Sequence, residues 1–207
     1  MLINIINGRQ AAEWRLRVDM MTDILTMGKN ARTASRSLGK LGTNKKNEVL
    51  MAVGDAIRAN ADYILEENQK DVEQGRADGM KSGLLDRLTL TKTRIDGMAD
   101  GVCQVAGLDD PIGEVLSMKK RPNGLLIGKK RVPFGVIAVI YESRPNVTLD
   151  TFGLCFKTGN AVILKGGSDA INSNVAIAKV IKAALSSCGI DENALQLIAS
   201  TDRECVK

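Results

Sequence analysis

The stretch GVIAVIYESRPNVTLDTFGLCFKTGNAVILKGG, which spans Gly135–Gly167, decides the fold of this chain. It begins and ends with a short apolar run, and such uninterrupted runs are typical of strands covered on both faces of a parallel sheet. A helix is predicted between them over 148–158. Leu149, Phe152 and Phe156 recur on one of its faces, and a glycine that suits a helix C-terminus follows it. The length fits one right-handed βαβ unit of about 30 residues.

The same alternation continues downstream. A helix is predicted over 173–188, because apolar residues share one of its faces and Gly189 follows it. ALQLI at Ala194–Ile198 is predicted to be a third strand. Three parallel strands with intervening helices make half of a doubly wound nucleotide-binding domain. We therefore expect an α/β fold whose sheet is incomplete within these 207 residues.

Amphipathic helices precede the strands. They are predicted over 45–76, with a break near Asn60, and over 91–106. Because they come before any strong strand, we expect them to pack as a layer across the later sheet. Residues 1–20 do not fit this pattern, and Met21 resembles a natural chain start, so we interpret 1–20 as an extension.

A β-hairpin is predicted over 114–132, between these helices and the first parallel strand. Its centre, Pro122–Gly124, has turn chemistry, since proline presets φ and glycine tolerates a positive φ. Six lysine and arginine residues flank this turn. They could bind phosphate groups, but a solvated hairpin whose charges protect its edge is the commoner arrangement.

The composition excludes several kinds of chemistry. The absence of histidine removes Ser-His-Asp and Cys-His nucleophile pairs and the commonest metal ligand, so we expect no metal site. The four cysteines form no C-x-x-C pair, which is typical of reduced thiols in a cytoplasmic protein. No apolar run approaches the ~20 residues of a membrane span, so we expect no membrane partner.

The net charge of +5 is compatible with two classes of ligand. Nucleic acid is not expected, because aromatic residues make up only 3% of the chain and no stacking platform is visible. Binding of an anionic small molecule accounts for the same excess of positive charge.

Ligands of open α/β sheets bind beyond the carboxyl ends of the strands, and two segments lie there. They are Tyr141–Asn146 after the first strand and Lys165–Ser168 after the second. The chain contains no G-x-G-x-x-G fingerprint. On its residues alone, Lys165 is either a cation that binds a cofactor or the solvated polar end of an ordinary strand.

Two segments carry a family resemblance. VPFGVIAVIYESRPNVT, from Val132, and KTGNAVILKGGSDA, from Lys157, resemble the aldehyde dehydrogenase superfamily with its P-x-G-V-I and G-N-x-V-x-x-K motifs. Within that superfamily, YESRPNVT and GNAVILKGG are similar to the γ-glutamyl phosphate reductase family. The resemblance runs from Met21 to the C-terminus. It implies a partial Rossmann-like parallel sheet of the aldehyde dehydrogenase type, with an N-terminal helical layer and a β-hairpin.

The resemblance also implies a reaction and a domain organisation. The reaction is the NADPH-dependent reduction of L-glutamate 5-phosphate to L-glutamate 5-semialdehyde in proline biosynthesis, by a homo-oligomeric cytoplasmic enzyme. In that family a cysteine thiolate attacks the acyl phosphate and forms a thioester. Residues 21–207 would be an incomplete NADP-binding domain, and the catalytic domain would be absent. Its parts would be helices at 21–107, the hairpin at 114–132 and a βαβαβ unit at 133–207.

The same resemblance assigns NADP(H) to the two strand ends. Lys165 matches the family lysine that contacts the adenosine ribose, and a cation there also suits a 2′-phosphate. Ser168 stands where NAD-preferring relatives carry a glutamate, whose charge would repel that phosphate. Asp169 follows directly, so this preference depends on where its carboxylate points. The expected cofactor-binding residues are Tyr141, Glu142, Lys165, Gly166, Gly167 and Ser168.

Asn146 is the expected catalytic residue, because it resembles the superfamily asparagine that stabilises the oxyanion. Arg144 competes for that position. As an alternative, Asn146 is a helix N-cap after Pro145.

The nucleophile of the family has no clear counterpart in this chain. GVCQ at Gly101–Gln104 imitates the family motif G-V-C-N, but Cys103 lies in a predicted amphipathic helix and is expected to be a small core residue. Cys155, Cys188 and Cys205 are also expected to be structural. The isolated chain is therefore expected to lack reductase activity. The alternative is a non-catalytic nucleotide-binding or oligomerisation module.

Overall fold

The computed structural model describes residues 8–200, with side chains from Asp23 onward, so the prediction for Cys205 lies outside the described residues. Within residues 1–20, which we interpret as an extension, the structure describes only a helical backbone that begins at Gly8. In chain order the elements are α1 (Gly8–Leu38), α2 (Thr43–Ala59), α3 (Ala61–Ala77), α4 (Ser82–Leu88), α5 (Lys92–Gly107), β1 (Val115–Lys120), β2 (Leu126–Lys130), β3 (Val136–Ile140), α6 (Asn146–Lys157), β4 (Ala161–Lys165), α7 (Ile171–Ser187) and β5 (Leu195–Leu197).

Most predicted elements are confirmed. The helices at 45–76 and 91–106 correspond to α2, α3 and α5, and the hairpin at 114–132 to β1 and β2. The three parallel strands and both of their connecting helices lie within a few residues of the predicted bounds. α1 and α4 are missing from the prediction, because the apolar residues of α1 show little helical periodicity and α4 has only seven residues.

The parallel sheet has the strand order β3–β4–β5. The central strand β4 is buried along almost its whole length. β3 is an edge strand in the described part of the chain, and its last residue, Ile140, is 65% exposed. The prediction that β3 is covered on both faces is therefore wrong here. An apolar run indicates that a strand is suited to burial, but it does not indicate which other segment covers the strand.

The helices form layers around this sheet. α1 packs against all three strands, whereas α6 packs on β4, α7 packs on β5, and the two helices pack on each other. α2 and α5 pack mainly on each other, and the layer of α2, α3 and α5 lies against α6 and α7. The predicted helical layer therefore lies one step further from the sheet than expected, and α1 is the N-terminal helix that covers the strands. The largest core side chains include Phe152 and Phe156 of α6.

The hairpin is exposed on both of its faces. β1 and β2 pair antiparallel around the turn at Arg121–Gly124, where Gly124 has φ +86° as the sequence predicts. Large apolar side chains nevertheless lie on it, and Leu126 is 64% exposed. Charged and apolar groups therefore share the same solvated surface.

A buried ion pair holds the segment that leads into the hairpin. Lys46 Nζ lies 2.8 Å from Asp110 Oδ2, and both side chains are almost inaccessible to solvent. Burial is the largest single influence and would raise the pKa of Asp110, but the hydrogen bonds from Lys46, the Ile112 amide and Thr43, together with the charge of Lys46, outweigh it and the pKa is lowered. Asp110 therefore stays charged, and it links α2 to the segment between α5 and β1.

Candidate functional site

The carboxyl ends of β3 and β4 lie side by side. Ile140 pairs with Lys165, and the Tyr141 amide donates a hydrogen bond to the Lys165 carbonyl at 3.1 Å. The segments 141–146 and 165–168 are therefore brought together at one edge of the sheet. This edge is where open α/β sheets bind their ligands.

Lys165 lies at this edge with most of its side chain covered. The residue is 9% exposed, and its Nζ donates to the Gly166 carbonyl at 3.1 Å. No carboxylate in residues 23–200 lies within ion-pair distance of the amine. A cation without a counterion at a strand end is suited to bind an anion.

The two glycines after Lys165 are required by close packing. A Cβ at Gly166 would lie 2.3 Å from Asn174 Nδ2 and 3.1 Å from the Tyr141 ring. A Cβ at Gly167 would lie 2.9 Å from Ser143 Oγ. The two glycines therefore let this turn pack closely on Tyr141, Ser143 and Asn174.

A buried chain of polar groups lies beneath these glycines. The Tyr141 hydroxyl donates to Thr148 Oγ1 at 2.6 Å, and the Thr148 hydroxyl donates to Asn174 Oδ1 at 2.9 Å. Burial raises the pKa of Tyr141, and the hydrogen bond with Thr148 offsets part of that rise. Asn174 Nδ2 is buried without a partner among the described residues. This chain links the end of β3 to α6 and α7.

A carboxylate from another helix closes the N-terminus of α7. Asp71 of α3 is 3% exposed and accepts hydrogen bonds from the backbone amides of Asn172 and Ser173 at 3.1 and 2.8 Å. It also accepts from both of their side chains. Free helix N-termini commonly bind phosphate groups. Asp71 already occupies this one, so a nucleotide pyrophosphate cannot bind there as it does after a G-x-G-x-x-G turn.

The direction of Asp169 is now known. Its carboxylate accepts from Ser143 Oγ at 2.8 Å and from Ser168 Oγ at 3.3 Å. It therefore points back toward the segment that follows β3 and ties the two strand ends together. Glu142, in contrast, is exposed and makes no side-chain hydrogen bond.

Asn146 is the first residue of α6 and does not cap it. Pro145 occupies the N-cap position, and no side chain accepts a hydrogen bond there. The alternative prediction of Asn146 as an N-cap is therefore wrong. Its amide Nδ2 donates to Asp150 Oδ2 one turn later at 2.9 Å. Helical residues four apart face the same side, which explains this contact.

Asn146, Asp150 and Arg144 line a cavity of about 430 Å³ between α4, α5 and the start of α6. Arg94, on the same wall, donates to the backbone carbonyls of Asp86 and Thr89 and pairs with the Asp86 carboxylate at 2.9 Å. The cavity adjoins the carboxyl end of β3. It therefore brings the predicted catalytic residue Asn146 and its competitor Arg144 to one surface.

The described cysteines have structural settings. Cys103 packs partly buried against the core, and a Cβ at Gly54 would lie 2.6 Å from its sulfur. Burial raises the pKa of the Cys155 thiol to about 11, so this thiol is protonated at neutral pH. Residues 8–200 contain no cluster of three His, Cys, Asp or Glu suited to a metal ion. No helix in that part of the chain is long and apolar enough to span a membrane.

Three residues of the site were not found from the sequence. Asp71, Thr148 and Asn174 come from different helices, and their partners lie up to about 100 positions away in the chain. Periodicity reports neighbours within one element, so it carries no signal for such contacts. Only the sequence motifs at the two strand ends could indicate that a site lies at this edge of the sheet.

The chain is similar to known proteins over most of its length. The aldehyde dehydrogenase family profile matches residues 10–207. A curated γ-glutamyl phosphate reductase from Lachnospira eligens is 58% identical over 186 residues, which are 90% of this chain and 45% of that protein.

Solved structures agree with this similarity. The crystal structure of γ-glutamyl phosphate reductase from Thermotoga maritima aligns with a TM-score of 0.85 and 44% identity, over 88% of this chain and 44% of that chain. The enzyme of that name from Saccharomyces cerevisiae aligns with a TM-score of 0.81 and 33% identity, again over 88% of this chain and 47% of its own. This chain thus spans less than half the length of these relatives.

Proposed function

This chain belongs to the aldehyde dehydrogenase family, and from that premise we propose that it is the cofactor-domain part of a γ-glutamyl phosphate reductase. The complete enzyme reduces L-glutamate 5-phosphate to L-glutamate 5-semialdehyde with NADPH and releases phosphate, in the cytoplasm, as a step of proline biosynthesis. The similarity to γ-glutamyl phosphate reductases along nine-tenths of this chain carries the proposal.

The residues at the two strand ends fit a dinucleotide. Lys165 would bind the adenosine ribose and its 2′-phosphate, and Gly166 and Gly167 let the turn after it pack closely on Tyr141, Ser143 and Asn174. Ser168 itself carries no carboxylate, which supports NADP(H) over NAD, whereas the Asp169 carboxylate lies 3.3 Å from Ser168 Oγ and would repel a 2′-phosphate placed beside it. When bound, the nicotinamide supplies the hydride.

Two other predicted cofactor contacts have different surroundings. The Tyr141 hydroxyl is engaged by Thr148, so Tyr141 would support the glycine turn from below. Glu142 is exposed at the same edge and is available to a ribose hydroxyl. Because Asp71 closes α7, the pyrophosphate would be held by residues other than the N-terminus of this helix.

Asn146 is the proposed oxyanion donor. One hydrogen of its amide group is donated to Asp150, and the other remains available to a carbonyl oxygen of the substrate. The nucleophilic cysteine would lie outside residues 8–200, since Cys103, Cys155 and Cys188 belong to the packed helices. We accordingly assign 21–207 to an incomplete NADP-binding domain.

A second candidate role concerns the hairpin formed by β1 and β2. Its exposed apolar side chains, Leu125, Leu126 and Met118 among them, are each more than half accessible to solvent. Exposed apolar groups on a two-stranded edge favour association with another chain. The hairpin would then be the contact through which the protein forms a homo-oligomer, whether or not the chain takes part in catalysis.

Two assays test the proposed function. The 207-residue chain, given NADPH and L-glutamate 5-phosphate generated in situ by its kinase, should show no turnover. A chimera that joins this chain to the remaining part of the L. eligens enzyme should oxidise NADPH, and its Lys165→Met variant should need more NADPH. A folded but inactive chimera, beside an active L. eligens enzyme, would refute the proposal. Turnover by the chain alone would refute the claim that the nucleophilic cysteine is absent from it.

A further inference from the structure

The cavity between α4, α5 and α6 contains ionic groups without counterions. Arg144 and Arg87 make no side-chain hydrogen bond or ion pair within residues 23–200, whereas their neighbour Arg94 pairs with the Asp86 carboxylate. Asp150 accepts a hydrogen bond from Asn146 but has no cation within ion-pair distance. The wall therefore presents two free guanidinium groups and one free carboxylate.

Asp150 is held in a defined orientation. Asn146 Nδ2 fixes one of its oxygens, and the other lies 4.0 Å from where a Cβ at Gly101 would stand. Burial raises the pKa of Asp150, and the hydrogen bond from Asn146 offsets only part of that rise. A cation bound beside it would therefore stabilise its charged form.

Glycines on α5 make room opposite this carboxylate. Gly97 and Gly101 lie four residues apart, on one face of the helix, and no heavy atom lies within 4 Å of a Cβ built at Gly97. Glycine in a helix interior costs about 1 kcal/mol relative to alanine. Gly97 therefore leaves open space at this wall, which a larger side chain would fill.

We propose that this cavity is an amino-acid subsite in which Asp150 binds the α-ammonium group of the substrate, while Arg144 and Arg87 bind its anionic groups. The inference rests on the proposed function and names the residues that determine specificity. An amino acid with a second anionic group carries one positive and two negative centres, the complement of one carboxylate and two guanidinium groups. Hydrogen bonds between ionised groups would then select this ligand over a simple diacid.

The test uses L-glutamate and glutarate, which differ only by the ammonium group. Isothermal titration of the 207-residue chain should show L-glutamate binding about tenfold more tightly than glutarate. Asp150→Asn keeps the shape and the contact with Asn146 but should abolish this preference. Arg144→Gln and Arg87→Gln should weaken the binding of both ligands about tenfold and leave the ratio of their affinities unchanged.

A cavity-filling variant separates binding from folding. Gly97→Leu should project into the cavity and abolish binding of L-glutamate, while the helix gains propensity and the chain stays folded. Asp62→Asn and Arg76→Gln, both exposed on α3, are matched controls that should bind as the wild type does.

The outcomes separate this inference from the proposed function. Absence of L-glutamate binding by the wild-type chain, or an unchanged L-glutamate preference in Asp150→Asn, would overturn the subsite, even if the chimera oxidises NADPH. Selective binding that Asp150→Asn abolishes would support the subsite, and an inactive chimera would then refute only the reductase assignment.

Discussion

The two strand–helix junctions at the edge of the sheet are built in opposite ways. At the β4–α7 junction, Asp71 from α3 satisfies the helix N-terminus, and the glycine turn packs against Tyr141 and Asn174. At the β3–α6 junction no side chain caps the helix, and a cavity with unpaired charges opens beside it. Neighbouring strands with the same local connection therefore have different surroundings.

This difference separates stability from recognition. The β4–α7 junction is held by buried hydrogen bonds, so we expect its residues to act mainly on folding and to form a rigid platform for the proposed nucleotide. The β3–α6 junction carries ionic groups for which residues 23–200 provide no counterion, so we expect its residues to act mainly on binding. Substitutions at the two junctions should therefore change different measurements.

The largest expected effect is at Asp71. Asp71→Ala removes the acceptor of four hydrogen bonds at the start of α7 and should lower the free energy of unfolding by about 3 kcal/mol. Asp150→Asn, at the open junction, should change it by no more than about 0.5 kcal/mol. Urea denaturation measures both, with Asp62→Asn as the control. A loss below about 1 kcal/mol for Asp71→Ala would show that the two junctions do not differ.

Alanine at two glycines gives the next contrast. Gly166→Ala would force a Cβ against Asn174 and the Tyr141 ring, and we expect a loss of about 1–3 kcal/mol. Gly97→Ala meets open space in α5 and should gain about 1 kcal/mol. Thermal denaturation of the pair checks the signs. Equal changes in stability for the two variants would contradict the close packing at Gly166 and the open space at Gly97.

The buried polar chain of Tyr141, Thr148 and Asn174 connects the two junctions, and substitutions in it should change the free energy of unfolding moderately. Thr148→Val removes the hydroxyl that lies between Tyr141 and Asn174 and leaves a buried amide oxygen without a donor. We expect a loss of about 1–2 kcal/mol, while Thr148→Ser should stay close to wild type. Equal stability of the valine and serine variants in chemical denaturation would show that the hydroxyl contributes nothing.

The smallest effect is a dependence on pH. Burial raises the pKa of Asp150 above its ordinary value of 3.8, so the folded protein disfavours the charged carboxylate. This group adds stability at pH values below 3.8, and the contribution is lost as the pH rises through the raised pKa. Asp150→Asn should therefore flatten the stability profile across that window by a few tenths of a kcal/mol, because solvent screens an exposed group. An identical profile in the variant would show that the folded protein does not raise the pKa of Asp150.

The fold was largely predictable because its signals are local. Apolar runs, helical periodicity and the glycine at the hairpin turn depend on neighbouring residues, and each led to the correct element. The exposure of β3 was not predictable, since the burial of an edge strand depends on what lies beside it. α1 was missed because a helix can be stabilised by packing on a sheet without a clear apolar stripe of its own.

The candidate site was predictable only in part. Lys165, Gly166 and Gly167 were predicted from the sequence motif at the end of one strand. The structure explains both glycines by close packing. The roles of Asp71 and Asn174 depend on contacts between helices far apart in the chain, which no local pattern reports. The pairing of Asn146 with Asp150 is a contact between residues four apart in one helix, and that spacing alone could have indicated it.

The affinity of the Lys165→Met variant for NADPH tests the central claim most directly. We expect the variant to bind NADPH at least tenfold more weakly than the wild-type chain, because no carboxylate in residues 23–200 pairs with the ammonium group at the end of β4. Its affinity for L-glutamate should stay unchanged, since that ligand belongs to the other junction. Equal NADPH binding by the variant and the wild type would contradict the assignment of the β4–α7 junction to the nucleotide.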